Sequence, residues 1–82
     1  MMEVRVRFFA LLRDAAGADE CRLMVDSASR GSDARMILSA RYPALAGLLP
    51  YVRCAINHEY RSWETPLRDG DELALIPPVS GG

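Results

Sequence analysis

The amino-acid sequence predicts an α+β domain in which one main helix packs on one face of a mixed sheet of about five strands. Several short segments alternate polar and apolar residues with a period of two, which is typical of strands with one buried face. A single segment carries apolar residues at helical spacing, and clusters of glycine and proline separate the segments. The predicted order of elements is β-β-α-β-β-β.

The first two strands are predicted on either side of a short link. Val4, Val6 and Phe8 are separated by arginines and form the buried face of a first strand. The Ala-Ala-Gly sequence at 15–17 interrupts this pattern, and residues 20–26 repeat it. Two neighbouring strands joined by a short link indicate a hairpin.

The main helix is predicted between this hairpin and Pro43. Ser32 is expected to be its N-cap, and Asp33 places a negative charge in the first turn, where the helix dipole favours it. Pro43 limits the helix because the residue before a proline avoids the α region. The apolar stripe of the helix consists of Ala34, Ile37 and Leu38, followed by Arg41 at the next position of the same face.

Three further strands are predicted in the second half of the chain. Residues 52–57 alternate in the manner of a strand, Asn57-His58 has turn character, and residues 59–63 form a short return strand. Asp69-Gly70-Asp71 is a strong turn signal, and a last strand follows it over residues 73–76. If the first and last strands lie side by side in the middle of the sheet, the fold is a β-grasp.

The chain is expected to divide at Pro77. Residues 1–76 form the β-grasp domain in this prediction, and residues 77–82 form an extended, flexible C-terminal tail. Pro77 and Pro78 end the last strand because neither can donate a ladder hydrogen bond, and proline favours an extended backbone.

The alternation also predicts a partner surface on the sheet. Leu73 and Leu75 are expected to face the helix. Phe9, Ala74 and Ile76 then point to the opposite face. Contiguous apolar side chains on an uncovered face mark a site of interaction with a partner. Two alternatives stay open at this point: loops cover these residues, or Phe9 has already left the strand.

Charge and composition exclude several classes of protein. The formal net charge of −1 argues against binding to nucleic acid, which normally requires a basic patch. The longest apolar run, at 8–12, has five residues, far fewer than the ~20 that span a bilayer. The N-terminal segment lacks the apolar region of a signal peptide, so we expect a cytoplasmic protein without a membrane partner. Cys21 and Cys54 are far apart and are expected to be free, buried thiols.

No catalytic or metal site is predicted inside the domain. His58 is the only histidine, and its predicted place in a turn favours solvent exposure over metal binding or acid–base catalysis. Asp69, Asp71 and Glu72 surround a turn glycine and lack the spacing of a calcium loop. All ten basic residues are arginine, so the chain has neither a phosphate-binding lysine nor a Schiff-base lysine.

The C-terminal sequence PPVSGG is the remaining candidate for function. Six residues from Pro77 span up to ~20 Å, and Gly81 and Gly82 can enter a tunnel that any Cβ would block. The α-carboxylate of Gly82 is ionised at neutral pH and is a poor electrophile, so acyl chemistry requires its activation as an acyl-adenylate. Another enzyme must supply this step, because the chain has no nucleotide-binding motif. The tail is therefore interpreted as a carrier arm.

Two stretches of the sequence resemble those of a known family. The stretch FA-x-LR-x-x-x-G comprises Phe9, Ala10, Leu12, Arg13 and Gly17, and the stretch DGDE-x-A-x-x-PPVSGG runs from Asp69 to Gly82. With their spacing, they are similar to the small subunit of molybdopterin synthase, a family of ubiquitin-like sulfur carriers with a β-grasp fold. The resemblance covers nearly the whole chain, although the segment DSASRGSDARMIL and Cys54 depart from the family pattern.

The resemblance implies a function in molybdenum cofactor biosynthesis. An activating enzyme adenylates the Gly82 carboxylate with ATP, and a sulfur donor converts it to a thiocarboxylate. The tail then enters the large synthase subunit, where the sulfur attacks cyclic pyranopterin monophosphate, and two such transfers build the dithiolene that holds molybdenum. The resemblance also implies a heterotetramer of small and large subunits. The catalytic side chains belong to the large subunit, and no cofactor is bound permanently to this chain.

The family pattern assigns roles to individual positions. Gly81 and Gly82 correspond to the carrier end. The inserted arm comprises Pro77, Pro78, Val79 and Ser80. The residues of the domain that the resemblance and the strand alternation assign to the partner surface are Phe9, Arg13, Ala74 and Ile76.

Three other functions stay open from the sequence alone. Sulfur carriers of another pathway, such as synthesis of the thiamine thiazole, also end in Gly-Gly. A ubiquitin-like modifier would join Gly82 to lysines of other proteins, and the lack of lysine here forbids only lysine-linked self-chains. The remaining alternative is a β-grasp interaction module whose tail has no function.

Overall fold

The computed structural model describes residues 1–78 of the chain. In chain order, its elements are β1 (Met2–Phe8), α1 (Leu11–Ala16), β2 (Glu20–Val25), α2 (Gly31–Arg41), β3 (Arg53–Ile56), β4 (Glu59–Arg61) and β5 (Glu72–Ile76). Two short 3₁₀ turns, Pro43–Leu45 and Leu49–Tyr51, connect α2 to β3. The roles predicted for Val79, Ser80, Gly81 and Gly82 lie outside the described residues.

Within residues 1–78 the strands form one five-stranded sheet with the order β2-β1-β5-β3-β4. β1 and β5 are parallel, with Val6 opposite Leu73 and Phe8 opposite Leu75, and the other neighbouring pairs are antiparallel. The central position of the first and last strands confirms the predicted β-grasp fold. Parallel neighbours require a long crossover, and here the whole segment between β1 and β5 supplies it.

The core lies between α2 and one face of the sheet, as the alternation predicts. Its fully buried apolar side chains include Val4, Val6, Ala34, Leu38, Leu45, Leu73 and Leu75. Ile37, which was expected in the apolar stripe of the helix, is instead 38% exposed. Successive helical residues are about 100° apart around the axis, so Ile37 lies at the margin of the narrow stripe occupied by Ala34 and Leu38.

The predicted N-cap of the main helix is wrong. α2 begins at Gly31, and Arg30 occupies the N-cap position with extended backbone. Ser32 lies inside the first turn, where its N–H donates to the carbonyl of Trp63 at 2.7 Å. The Asp33 carboxylate accepts a hydrogen bond from the Arg30 N–H at 2.8 Å. A carbonyl distant in sequence and the Asp33 carboxylate together satisfy the helix terminus, so a capping side chain at the N-cap position is not required.

The link between the first two strands contains a helix that the sequence patterns did not predict. β1 and β2 pair antiparallel, as expected of a hairpin, but α1 fills the link. Gly17 ends α1 in the left-handed region with φ 73°, and its N–H donates to the Arg13 carbonyl at 2.9 Å. Six residues are too few to show a helical period, which explains why α1 was missed.

The return strand β4 is shorter than predicted because Trp63 turns toward the core. β4 ends at Arg61 rather than at residue 63. The Trp63 indole N–H donates to the Val52 carbonyl at 3.1 Å, and the Arg35 guanidinium carbon lies 4.7 Å from the centre of the indole ring. Trp63 therefore joins the start of α2 to the start of β3.

Both cysteines are free and buried, as expected. Cys54 lies on the core face of β3, and its Sγ contacts the Arg61 carbonyl at 3.1 Å. Burial raises the pKa of the Cys54 thiol, because the thiolate is poorly solvated there. Cys54 is therefore a packing residue in the neutral form at physiological pH.

Gly31→Ala is expected to lower the free energy of unfolding by about 1–3 kcal/mol. An added Cβ would meet the Trp63 carbonyl oxygen at 2.9 Å, and this backbone atom also accepts the Ser32 hydrogen bond. In the matched control, Gly47→Ala, the Cβ meets nothing within 4 Å, so stability should stay constant or rise slightly. Urea denaturation followed by tryptophan fluorescence measures both variants. Equal stability of the two would contradict the close approach at Gly31.

Candidate functional site

The tail leaves the domain beside the residues that follow β1. Because β1 and β5 are parallel and Phe8 lies opposite Leu75, both strands end at the same edge of the sheet. Phe9 and Ile76, which stand at these two ends, line one shallow hollow. The chain then enters solvent along Pro77-Pro78, of which the first residue is half-buried and the second exposed.

A row of side chains crosses the uncovered face of the sheet at this edge. The strand register aligns Arg7 with Ala74, Ala74 with Ala55, and Ala55 with Tyr60. These residues alternate with core residues, so their side chains share the face opposite α2. The two alanines at the centre of the row leave a hollow of about 270 Å³, which we call the sheet hollow.

The sheet hollow has apolar walls. Phe9, Tyr60 and Ile76 line it around the alanine floor. Phe9 is 38% exposed and Tyr60 is 69% exposed, so both rings are accessible to a partner. Phe9 lies just beyond β1, as one alternative anticipated, yet its side chain still joins Ala74 and Ile76 on this face. The structure therefore brings together three of the four partner-surface residues named from the sequence.

Arg13, the fourth of these residues, lies on the other side of Phe9. It lines a separate hollow of about 510 Å³ together with Arg7 and Phe9. Its guanidinium is 3.7 Å from the carboxylate of Asp19, and both side chains are exposed, so this ion pair contributes little to stability. Arg7 borders both hollows, with its guanidinium carbon 5.3 Å from the centre of the Phe9 ring, within the range of a cation–π interaction.

One end of the sheet hollow is charged, a feature that sequence reasoning missed. The Glu72 side chain is only 10% exposed and lies 3.0 Å from Arg5 and 4.0 Å from Arg7. The His58 Nε2 is 3.5 Å from the other Glu72 oxygen. The N–H of Glu72 donates to Asn57 Oδ1 at 3.0 Å, which holds β5 against the turn after β3. The alternation of residues in β1 places both arginines on this face. This alternation is the sequence signal from which the charged end of the hollow could have been predicted.

The turn between β3 and β4 presents His58 to solvent, as predicted. Asn57 and His58 both have positive φ, at 51° and 70°, which is the geometry of a two-residue hairpin turn. The His58 side chain is 80% exposed. Within residues 1–78, no group of three or more His, Cys, Asp and Glu side chains is placed to hold a metal ion. The same residues include no helix long and apolar enough to cross a membrane.

Backbone strain is located at Ala10, directly beside the sheet hollow. Ala10 has φ 50° and ψ −126°, a region that residues other than glycine rarely occupy. The carbonyls of Phe9 and Ala10 accept hydrogen bonds from the N–H groups of Leu12 and Arg13, each at 3.0 Å. Phe9 and Leu11, on either side of Ala10, are exposed apolar residues. The strained residue thus lies in the turn that presents Phe9 at the surface.

Ala10→Gly is expected to raise the free energy of unfolding by about 1 kcal/mol, because glycine adopts positive φ without a steric cost. Ala40→Gly is the matched control. Ala40 is an exposed residue within α2, where glycine should lower stability by about 1 kcal/mol. Urea denaturation of the two variants gives opposite signs if Ala10 is strained, and a similar loss in both would contradict the strain.

Known proteins resemble the chain over nearly its full length. The model of the ThiS family matches residues 6–82. The molybdopterin synthase sulfur carrier subunit of Chlamydomonas reinhardtii is 35% identical over 83 residues, which cover 99% of this chain and 100% of the relative. The crystal structure of the small archaeal modifier protein SAMP1 from Haloferax volcanii has a TM-score of 0.89 at 32% identity, covering 98% of this chain and 99% of that one.

A third likeness is to a protein seen with its partner. A chain in the complex of subunits 1 and 2 of the molybdopterin-converting factor from Helicobacter pylori has a TM-score of 0.73 at 30% identity. The match covers 99% of this chain and 100% of that one. Identity and coverage of this extent, together with the ubiquitin-like β-grasp fold, show that the chain belongs to the ThiS family.

Proposed function

We propose that this chain is the sulfur carrier subunit of a molybdopterin synthase and acts in the cytoplasm. Residues 1–76 serve as the folded domain, and residues 77–82 serve as an extended carrier arm. The observation that carries the proposal is the position of the sheet hollow, whose apolar wall, formed by exposed Phe9 and half-buried Ile76, lies where the arm leaves the domain. A partner that docks on this wall receives the arm at the same place.

The chemistry takes place at the carboxylate of Gly82. An activating enzyme joins this carboxylate to the α-phosphate of ATP, which forms an acyl-adenylate and releases pyrophosphate. A sulfur donor at the oxidation level of sulfide then attacks the acyl carbon, and AMP leaves with its electron pair. The product is a thiocarboxylate, in which one oxygen has been exchanged for sulfur. The absence of a Cβ at Gly81 and Gly82 leaves the acyl carbon accessible to both enzymes.

The large synthase subunit is the proposed partner that binds the domain and accepts the carrier arm. It contacts the domain at Phe9, Ala74 and Ile76, with Arg13 at the margin of the interface, and takes up the arm from Pro77 to Ser80. The thiocarboxylate sulfur forms a bond to a carbon of the precursor, cyclic pyranopterin monophosphate, and an oxygen substituent of that carbon leaves with the bonding electron pair. Water then cleaves the acyl–sulfur bond, which restores the carboxylate and leaves the sulfur on the precursor. Two carriers complete the dithiolene in a heterotetramer. The catalytic side chains come from the large subunit, and this chain requires no permanently bound cofactor.

A second candidate function is protein modification, which the likeness to SAMP1 supports. The same activated Gly82 carbon would then be attacked by the amine of a lysine on another protein, which forms an amide and releases the activating group. This chain has no lysine, so it cannot form lysine-linked chains with itself. A sulfur carrier for another pathway, such as the thiamine thiazole, would share the thiocarboxylate but not the large synthase subunit.

Incubation with ATP, an activating enzyme and a sulfide source is expected to exchange one oxygen of the chain for one sulfur, measured by intact mass spectrometry. A chain lacking Gly82 is the control and should stay unchanged. Failure to exchange, in a mixture that thiolates an authenticated carrier, would contradict a carrier function. Amide-linked adducts on other proteins, without the sulfur exchange, would favour the modifier.

Phe9→Arg is expected to weaken binding to the large synthase subunit at least tenfold, or about 1.4 kcal/mol, because a charge replaces an apolar wall of the sheet hollow. Tyr51→Arg is the matched control, since Tyr51 is also an exposed aromatic residue but does not line the sheet hollow. Isothermal titration calorimetry measures both variants, and circular dichroism verifies their folding. Equal affinities of the two variants, or no binding by the unaltered chain, would oppose the molybdopterin function and leave another sulfur pathway.

A further inference from the structure

A second exposed apolar surface lies along the outer strand β2. Met24 of β2 and Met36 and Ile37 of α2 line a hollow of about 380 Å³ together with Asp26 and Asp33. Met24 is 54% exposed, Met36 72% and Ile37 38%. Methionine is frequent at surfaces that bind partners because its side chain adapts to different shapes. We call these five residues the β2-edge surface, and nothing proposed above for Gly82 uses it.

The backbone N–H and C=O groups of Met24, beside this surface, are not used in pairing with β1. β2 is an outer strand, and Met24 lies opposite Glu3 of β1. The Glu3 N–H donates to Asp69 Oδ1 and its carbonyl accepts from the Gly70 N–H, both at 2.8 Å and both on the β5 side. Glu3 and Met24 therefore form a non-hydrogen-bonded pair, in which the N–H and C=O of Met24 point away from β1.

The backbone groups of Arg22 also point away from β1, and one of them is already hydrogen-bonded, which shortens the edge that a partner can reach. It lies two residues before Met24, so its backbone groups point to the same side. Its carbonyl accepts a hydrogen bond from the Arg41 guanidinium at 3.0 Å, which covers the edge at that position. The N–H and C=O of Met24, beside the hollow, are the groups with which another strand can pair, because the Asp26 carbonyl already accepts the Ser29 N–H at 3.0 Å.

The charged groups of the β2-edge surface indicate the charge of its partner. The carboxylates of Asp26 and Asp33 line the hollow together with Met1, the residue that bears the α-amino group, so the two acidic groups outnumber this amine. The Oδ2 atom of Asp33 accepts the Arg30 N–H, which leaves its other oxygen for a ligand. Two carboxylates next to exposed methionines complement a segment that is apolar and carries arginine or lysine.

The β2-edge surface is also distant from the tail. Met2, the first residue of β1, lies opposite Val25, whereas the tail leaves the sheet beyond the other end of β1. The seven residues of β1 separate the two sites by ~20 Å. A ligand at the β2 edge therefore leaves the arm accessible to an enzyme.

We propose that the β2 edge binds an extended, apolar segment of another protein, ending in basic residues, by strand addition. The segment pairs with the N–H and C=O of Met24. Its successive side chains point to opposite faces, so that some meet Met24 and others meet Met36 and Ile37. Its basic end lies beside Asp26. Such binding holds the carrier while its C-terminus is being modified.

The test is an NMR titration of the unmodified, isotope-labelled chain with a short valine-rich peptide that ends in a pair of arginines. Supporting results are shifts of the Met24–Asp26 and Met36 amides, slower hydrogen exchange at the Met24 amide, and weaker binding of a peptide that ends in glutamates. Met36→Ser should weaken binding at least fivefold, because it removes an apolar contact without adding charge. Tyr51→Ser should leave it unchanged, because Tyr51 is as exposed as Met36 but lines neither this hollow nor the sheet hollow.

Three outcomes would overturn the proposal. They are the absence of shifts at millimolar peptide, shifts centred on β4, and a concentration-dependent dimer that protects the Met24 amide without peptide. The last result would assign the edge to a second copy of the chain. The titration uses protein with a free Gly82 carboxylate, so its result does not depend on the proposed sulfur chemistry. Failure of this proposal and failure of the proposed function can therefore be distinguished.

Discussion

The parallel pairing of β1 with β5 is the constraint on which the rest of the structure depends. It brings together the two strands that are farthest apart in the chain, and Val6 and Leu73 meet at the centre of the core. It leaves β2 and β4 as the outer strands. Because parallel strands end at the same edge, it also places Phe9 beside the start of the tail. The proposed docking wall and the proposed carrier arm are therefore consequences of one strand pair.

The register of this pair is set at the start of β5. The Glu3 N–H donates to Asp69 Oδ1 and the Gly70 N–H donates to the Glu3 carbonyl, both at 2.8 Å, and the Arg5 N–H donates to the Asp71 carbonyl at 2.9 Å. Gly70 supplies the positive φ, 86°, of the preceding turn. A shift of one residue would turn every side chain of β5 to the other face. The Asp-Gly-Asp-Glu motif therefore has a structural function, which is to hold the outward residues of β5 in the sheet hollow.

The domain presents two surfaces with different chemistry. The sheet hollow is apolar with a cationic rim, because Arg5 and Arg7 both approach the single carboxylate of Glu72. The β2-edge surface is apolar with carboxylates at Asp26 and Asp33. The two surfaces lie toward opposite ends of β1, so partners of opposite charge can bind apart from each other, which suits a carrier that meets more than one protein in turn.

Local patterns in the sequence determined the strands and the end of β5. The period of two identified β1 and β5, and Pro77-Pro78 marked the end of the sheet, while the terminal glycines are the basis of the proposed carrier arm. These features depend on neighbouring residues alone. These patterns did not predict the start of α2, because the Trp63 carbonyl, which is distant in sequence, accepts the Ser32 N–H there and Ser32 is not the N-cap.

Only the tertiary structure decided which residues form the site. The adjacency of β1 and β5, the alanine floor shared by Ala55 and Ala74, and the burial of Glu72 among arginines each join residues from separate segments. α1 and the strained Ala10 were also absent from the patterns, since a six-residue helix shows no period and a single dihedral angle leaves no mark in composition. Sequence periodicity specifies which face of a strand is buried, whereas the neighbours of that strand depend on long-range packing.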